Sequence, residues 1–219
     1  MRKKIAIILA GCGRFDGSEI HESVLTLLSI KQNNADYQCF SLNQDQDHVT
    51  NHLTEDHSTV DKRNMLIESA RIARGDIKEL QELDVTKFDG LIIPGGNGTA
   101  YNLFTLAIDG NNYTVNPLVK QKCLDFLIHK KPMGFICIAP VMIPRIFDKH
   151  NVELTIGNDK NIINMLEELG ASHFECSANE IHTDIKHKIV TTPAYMLAQD
   201  ILEAYTGINK LVTEVINLA

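Results

Sequence analysis

The chain has 219 residues, of which 44% are hydrophobic and 22% are charged, and its formal net charge is −7. A chain of this length can bury a sizeable core, so we expect residues 1–219 to form a single domain. The negative charge and the absence of a long Lys/Arg run argue against nucleic-acid binding. No apolar stretch is long enough to predict a membrane span.

The redox and targeting signals indicate a cytoplasmic protein. Five widely separated cysteines without a CxxC pair argue against a disulfide framework and for a reducing compartment. The apolar part of the N-terminal segment, residues 5–10, is too short for the core of a signal peptide. We therefore expect a first β-strand at this position.

Strand-like and helix-like segments alternate along the chain. Strands are predicted at 4–10, 37–42, 89–93, 132–136, 180–184 and 188–192, the last two as a hairpin. Helices are predicted at 18–31, 63–73, 115–129, 161–169 and from 195 to the end, where an interruption at Gly207 is left open. A short or kinked helix is expected within 137–147, and the polar segment 43–61 is expected to be a surface excursion. This alternation indicates a mostly parallel sheet covered by helices on both faces.

Three segments follow the carboxyl ends of predicted parallel strands, namely 11–19, 94–100 and 137–140. Functional groups collect at this edge of such sheets. We therefore expect the three segments to converge on one crevice.

Cys137 is the first candidate for chemistry, because it lies between an apolar strand and a predicted helix. A thiol near the N–H groups of a helix N-terminus has a lowered pKa, and the strand–turn–helix pattern is typical of a nucleophile elbow. The alternative is an ordinary buried thiol, and position alone does not decide between the two.

Glu19 and the glycine turn are the next candidates. Local pattern favours Glu19 as a helix cap, since the segment 16–19 matches a capping box. The functional alternative places Glu19 beside Cys137 in a poorly solvated pocket that raises its pKa. Gly95, Gly96 and Asn97 belong to a turn whose amides suit an oxyanion hole, the alternative being a flexible turn. His21 is either a base near Glu19 or a surface residue.

Two other motifs are weaker. The glycines at 11, 13 and 17 are not spaced as GxGxxG, and no acidic residue ends the second strand to hold a ribose. The histidines at 48, 52 and 57 could imitate a metal site, but their polar loop favours a solvated face. We therefore predict no metal and no cofactor.

A family resemblance emerges from six motifs taken together. They are GCGRFDGSEIHE (11–22), NHLT (51–54), PGGNGTAYNL (94–103), GFICIAPVMIP (134–144), LTIGND (154–159) and VTTPAYMLAQ (190–199). In this order they resemble the ElbB-type group of the ThiJ/PfpI superfamily, whose members are described as isoprenoid-biosynthesis glyoxalases. The resemblance spans nearly the whole chain.

The resemblance implies a flavodoxin-like, three-layer α/β sandwich of the class I glutamine amidotransferase type, usually dimeric. It implies that Cys137 is the nucleophile and that Glu19 contacts its sulfur. It also implies that the backbone amides of Gly96 and Ile138 face the substrate oxygen. We further predict that Gly95, Asn97 and His21 belong to the substrate pocket. Related enzymes need neither glutathione nor a metal.

The chain departs from the amidotransferases of this fold at two places. Ala139 stands where they carry a glycine two residues after the cysteine. Their late His–x–Glu is matched only by the segment 182–184, within a predicted strand. Amidotransferase and protease chemistry are therefore not expected, and no third catalytic residue is assigned.

The resulting prediction is a homodimeric, glutathione-independent glyoxalase that converts glyoxal or a related small dicarbonyl to a hydroxy acid through Cys137. One alternative is a redox or stress-responsive binding protein in which Cys137 is oxidised to a sulfinate. A scaffold with residual activity is another, because a fold does not guarantee a function.

Overall fold

The computed structural model describes residues 2–148 and 151–219, and its centre is a seven-stranded sheet. The strands of that sheet are β1 (Lys4–Leu9), β2 (Asp36–Ser41), β5 (Ile77–Glu79), β6 (Gly90–Ile93), β7 (Met133–Ile136), β10 (His182–Asp184) and β11 (Ile189–Thr192). Two further pairs form small sheets, β3 (Val49–Thr50) with β4 (His57–Ser58) and β8 (Glu153–Leu154) with β9 (Ser172–His173).

The strand order in the main sheet is β10-β11-β7-β6-β1-β2-β5. All neighbouring strands run parallel except β10, which pairs antiparallel with β11 as the predicted hairpin. Residues 5–9 of β1 are fully buried, as expected for a central parallel strand covered on both faces. The predicted α/β, flavodoxin-like three-layer sandwich is confirmed.

Eight α-helices connect the strands in the part of the chain that the structure describes. They are α1 (Ile20–Gln32), α2 (Met65–Ile72), α3 (Thr99–Asn102), α4 (Leu106–Asp109), α5 (Pro117–Ile128), α6 (Ile143–Ile146), α7 (Lys160–Glu168) and α8 (Ile201–Leu218). Polar caps set several of their starts. Asn116, for example, accepts from the amides of Leu118 and Val119 ahead of Pro117 at the first helical position.

The last helix differs from its prediction. A 3₁₀ turn at Ala194–Met196 precedes α8, which then runs through Gly207 without interruption. A Cβ at Gly207 would lie 2.3 Å from the carbonyl oxygen of Ala178. Gly207 therefore permits a close approach between α8 and the loop before β10, at some cost in helix propensity.

The polar segment 43–61 is also more than a surface excursion. Gln46, His48 and Thr50 are buried, and the segment includes the β3–β4 hairpin. The Gln46 side chain donates to the carbonyl oxygen of Asp16 at 2.6 Å, and the Thr50 amide donates to Asp16 Oδ2 at 2.8 Å. A polar segment is expected at the surface, but hydrogen bonds to buried Asp16 satisfy these polar groups and allow them to be buried. The sequence pattern does not reveal Asp16 as their partner.

Candidate active site

Four neighbouring parallel strands end at one open cavity of about 640 Å³. The segments after β1, β6, β7 and β11 all contribute to its wall. The lining residues are Arg14, Phe15, Glu19, His21, Gly96, Asn97, Cys137, Tyr195, Met196, Ala198 and Gln199. The fold therefore gathers the three segments expected at one crevice and adds the turn after β11.

Cys137 follows β7 directly and has a left-handed backbone, with φ of 61°. Such a conformation costs a non-glycine residue about 1–3 kcal/mol and is concentrated at functional sites. The Cys137 amide donates to the carbonyl oxygen of Thr192 at 2.9 Å, which ties the turn to β11. The side chain is 7% exposed, so the sulfur lies at the inner end of the cavity.

The glycine turn packs directly against this cysteine. The backbone amides of Gly96 and Ile138 donate hydrogen bonds to the Cys137 sulfur. Gly95, which was predicted to belong to the pocket, instead lies behind the cysteine, where an added Cβ would come within 2.5 Å of Cys137 Cβ. The structure thus brings the two amides predicted for the oxyanion site to the sulfur, and only glycine fits at position 95.

The acidic residue beside the sulfur is Glu22, which corrects the position predicted for Glu19. The Glu22 side chain is fully buried and hydrogen-bonds to Cys137. Its Oε2 accepts from the Gly95 amide at 2.9 Å, and its Oε1 accepts from the Tyr195 amide at 3.3 Å. These backbone donors fix the carboxyl group between the glycine turn, the elbow and the turn after β11.

Glu19 is the N-cap of α1. Its Oε2 accepts from the Glu22 amide at 2.7 Å, so its carboxylate is engaged at the helix start. Glu19 also lines the cavity. The helix begins at Ile20, later than predicted, and this shift places the second acidic residue of the motif at the sulfur.

Burial shifts the pKa of both buried groups upward. Burial first, and then the neighbouring Glu19 charge, raises the pKa of Glu22 to about 8. Burial and the Glu22 charge raise the pKa of the Cys137 thiol, against the lowering effect of the Gly96 and Ile138 amides. The lowered thiol pKa predicted from the helix N-terminus is therefore wrong, because burial outweighs the amides.

The outer part of the cavity is polar. His21 is exposed, and its Nδ1 lies 2.9 Å from the Tyr195 hydroxyl. Burial raises the pKa of Tyr195, and the charges of Glu19 and Glu22 raise it further, so the phenol stays protonated near neutral pH. Asn97 is exposed on the wall. The cavity therefore offers hydroxyl, imidazole and amide groups to a ligand.

Several site residues were missed in the sequence. Glu22 follows the cap by three residues and shares a helix face with Ser23, Thr26 and Ser29, and this polar face was the available signal. Arg14 and Phe15 lie within the predicted segment 11–19 but were not singled out. Tyr195 and Met196 belong to a turn that was predicted as helix.

Other candidate residues lie away from the cavity. His182 Nε2 is 3.0 Å from Glu153 Oε2 on the β10 side of the sheet. Over residues 2–148 and 151–219, no group of three His, Cys, Asp or Glu side chains is arranged to hold a metal ion. In the same ranges, no helix combines the length and apolarity needed to cross a membrane.

Chemically, the arrangement pairs the Cys137 thiol with a buried carboxyl group that can exchange a proton near neutral pH. The backbone amides of Gly96 and Ile138 both point toward the Cys137 sulfur and can stabilise a negatively charged oxygen bound there. Addition of the thiol to a carbonyl carbon fits this set of groups.

Proteins from two mammals match nearly the whole chain. The ES1 protein homolog, mitochondrial, of Rattus norvegicus is 37% identical over 226 residues, which cover 99% of this chain and 84% of the rat protein. The Homo sapiens glutamine amidotransferase-like class 1 domain-containing protein 3, mitochondrial, is 37% identical over 98% of this chain and 83% of its own length. The chain belongs to the ES1 family of class I glutamine amidotransferase-like proteins. No protein-family profile matches the sequence.

Solved structures agree with this assignment. An isoprenoid biosynthesis protein with an amidotransferase-like domain from Ehrlichia chaffeensis superposes on this ES1-family protein with a TM-score of 0.92 at 34% identity, covering 99% of both chains. Glyoxalase III from Candida albicans shares the fold, with a TM-score of 0.61 at 14% identity over 96% of both chains. The fold implied by the ThiJ/PfpI resemblance is thereby confirmed.

Proposed function

We propose that this protein is a glutathione-independent glyoxalase of the ElbB type, acting on α-oxoaldehydes such as glyoxal and methylglyoxal. The observation that carries the proposal is the Cys137–Glu22 pair, in which a sulfur at a strained elbow shares a hydrogen bond with a buried carboxyl group whose pKa is about 8. The fold shared with a protein named glyoxalase III is consistent with this activity.

The first step is addition of the Cys137 sulfur to the aldehyde carbon. Ionised Glu22 takes the thiol proton as the carbon–sulfur bond forms, and that proton passes to the aldehyde oxygen, which becomes the hydroxyl of a hemithioacetal. The Gly96 and Ile138 amides stabilise the oxygen while it is negatively charged.

The second step is an internal redox exchange between neighbouring carbons. Glu22 removes the C–H proton from the former aldehyde carbon while the ketone oxygen gains a proton, which gives an enediol. Glu22 then returns its proton to the former ketone carbon as the hydroxyl on the sulfur-bearing carbon loses its own proton, so one C–H and one O–H are moved in all. The aldehyde carbon is oxidised to a thioester and the ketone carbon is reduced to an alcohol, so no external oxidant is needed. Water then cleaves the thioester, which releases the hydroxy acid and restores the thiol.

Substitution of the nucleophile tests the proposal. The Cys137→Ser variant is expected to lose formation of lactate from methylglyoxal, measured with the purified protein. Cys176→Ser is the matched control, because Cys176 is half-buried outside the cavity. The proposal fails if Cys137→Ser keeps the wild-type rate, or if both variants lose activity equally.

The second candidate function is the redox sensor, favoured by the hydrogen bonds around the sulfur. Peroxide would oxidise the Cys137 thiol in two steps to a sulfinate, with water as the reduced product. The Gly96 and Ile138 amides and protonated Glu22 would then donate to the sulfinate oxygens. A sensor gains mass at Cys137 with peroxide and turns over no dicarbonyl, whereas a glyoxalase turns one over.

The homodimer predicted from the family resemblance is also a proposal. Ile20, Val24 and Leu28 of α1 are each more than 40% exposed and form an apolar stripe along a groove of about 520 Å³ between α1 and α2. We assign this stripe to contact with a second copy of the chain. The cytoplasmic location stays a prediction, and the rat and human relatives are themselves named mitochondrial.

A further inference from the structure

Among the described residues, 2–148 and 151–219, Arg14 is the one lysine or arginine that lines the cavity. Its Nη2 lies 3.7 Å from Glu55 Oε1, and the two side chains are 59% and 64% exposed. An exposed ion pair of this kind contributes about 0–1 kcal/mol. The guanidinium can therefore exchange Glu55 for an anionic ligand at little cost.

The position of Arg14 on the rim is nevertheless fixed. Its guanidinium carbon lies 4.1 Å from the centroid of the Phe15 ring, a cation–π contact. The backbone carbonyl oxygen of Arg14 accepts a hydrogen bond from the Gly98 amide at 3.3 Å. Gly98 belongs to the same turn as Gly96, so this hydrogen bond links the cation to the turn that faces the sulfur.

The cavity is large compared with glyoxal or methylglyoxal. Its volume is about 640 Å³, within the range of about 300–1,000 Å³ that is typical of pockets for drug-sized ligands. Phe15, Met196 and Ala198 supply apolar wall. A substrate with atoms beyond its dicarbonyl group would use this space.

The charges of the cavity are separated along its depth. Glu22 lies at the inner end beside the sulfur, and the Glu19 carboxylate accepts from a helix amide at 2.7 Å, where the α1 N-terminus offsets its charge. Arg14 stands at the exposed rim. An anionic group of the substrate is therefore favoured at the rim, beside the guanidinium of Arg14.

We propose that Arg14 selects an α-oxoaldehyde that carries a carboxylate or phosphate at the end remote from its dicarbonyl group. The aldehyde reaches Cys137 while Arg14 holds the anionic group. This inference rests on the proposed glyoxalase activity and adds the class of substrate and the residue that recognises it.

A comparison of substrates and variants tests the assignment. Methylglyoxal is the neutral substrate, hydroxypyruvaldehyde phosphate is the phosphorylated one and dioxovalerate is the carboxylated one. The ratio of kcat/KM for each anionic substrate to that for methylglyoxal should fall about tenfold or more in Arg14→Gln, as expected for loss of a charge-assisted hydrogen bond. Arg14→Lys should recover part of the ratio.

Arg2→Gln is the matched control. It removes the same charge, but Arg2 lies near Asp36 at the start of β2, at the edge of the sheet opposite the cavity. Its selectivity ratio should equal that of the wild type. In the wild type, the anionic substrate with the larger ratio of kcat/KM to that for methylglyoxal shows whether the site prefers a phosphate or a carboxylate.

Two results overturn the inference. One is a selectivity ratio that Arg14→Gln leaves unchanged. The other is an affinity of Cys137→Ser for hydroxypyruvaldehyde phosphate and for dioxovalerate, each measured by calorimetry, that is the same with and without Arg14→Gln. The binding measurement needs no turnover, so it tests the role of Arg14 even if the protein is not a glyoxalase. Absence of turnover on every substrate in the wild type would contradict the glyoxalase proposal and would leave the binding result to decide the role of Arg14.

Discussion

In an ordinary surface helix the apolar face is buried and the polar face is exposed. Helix α1 has the reverse arrangement. The buried face is largely polar and carries Glu22, Ser23, Thr26 and Ser29. The exposed face carries Ile20, Val24 and Leu28, which are 42%, 48% and 47% exposed. The helix therefore presents polar groups to the interior of the protein and apolar groups to its surface.

Most polar groups on the buried face have hydrogen-bond partners, with Ser29 as the exception. The hydroxyls of Ser23 and Thr26 each donate, at 2.7 Å, to a carbonyl oxygen one turn earlier in the same helix. Glu22 has backbone donors from two other loops. This face positions the carboxyl group to which we assign proton transfer, whereas the exposed face is the one that we assign to an intermolecular contact.

The largest expected effect comes from the carboxyl group on the buried face. Glu22→Gln should lower kcat/KM for methylglyoxal about a hundredfold or more, because a positioned general base is lost while side-chain size is kept. The comparison is Glu19→Gln, which keeps the oxygen that caps the helix and should stay within a few-fold of the wild type. Equal losses in the two variants would contradict the separate roles of the two residues.

The same carboxyl group should make the stability of the protein depend on pH. Its pKa is raised from 4.5 to about 8 in the folded state, so folding holds this proton more tightly than the unfolded chain does. The stabilising contribution is complete below pH 4.5 and is lost as pH rises through about 8.

Urea titrations of wild type and Glu22→Gln measure this effect. Relative to the variant, the wild type should lose a few kcal/mol of unfolding free energy, roughly 1.4 kcal/mol for each unit of pKa shift, as pH rises through that window. Parallel pH dependences in the two proteins would show that Glu22 is not held in its protonated form by folding.

The exposed face is tested by a charge in the apolar stripe. Leu28→Asp should convert a dimer to a monomer, as measured by light scattering during gel filtration, because the interface would bury an unpaired carboxylate. Ile128→Asp is the control, since Ile128 is 71% exposed on α5. A wild type that is monomeric at all concentrations would refute the dimer proposal.

The smallest effect is expected within the buried face. Ser29 Oγ is buried, and no hydrogen-bond partner for it exists within the described parts of the chain, 2–148 and 151–219. Ser29→Ala should therefore raise the unfolding free energy by about 1 kcal/mol, since it removes an unsatisfied hydroxyl. Ser23→Ala removes a bonded hydroxyl and should show no such gain, as read from urea midpoints.

The sequence was sufficient for six of the seven strands of the sheet, but it missed β5 (Ile77–Glu79) at the sheet edge and the acidic residue beside the sulfur. Runs of β-branched residues and glycine turns predicted β1, β6 and β7 with their active edge, and Cys137 followed from that order. Glu22 was missed because a helix boundary is uncertain by a residue or two, and such a shift decides which acidic residue caps the helix. The burial of His48 and Gln46 depends on buried Asp16, a tertiary partner that local pattern does not reveal.

The raised thiol pKa was missed for a related reason. A strand–turn–helix pattern predicts amides near the sulfur, and the structure has them at Gly96 and Ile138. The depth of burial and the nearby Glu22 charge are properties of the packed molecule, and they act in the opposite direction.

The pH dependence of kcat/KM for methylglyoxal, measured for the wild type and Glu22→Gln, tests the Cys137–Glu22 pair most directly. The Cys137–Glu22 pair must lose one proton before the sulfur can add to the aldehyde. Wild-type kcat/KM should therefore rise with pH, with a midpoint near 8, the pKa of Glu22. In Glu22→Gln this rise should be absent at that pH. The same rise in both proteins would contradict the role of Glu22 as the base that activates Cys137.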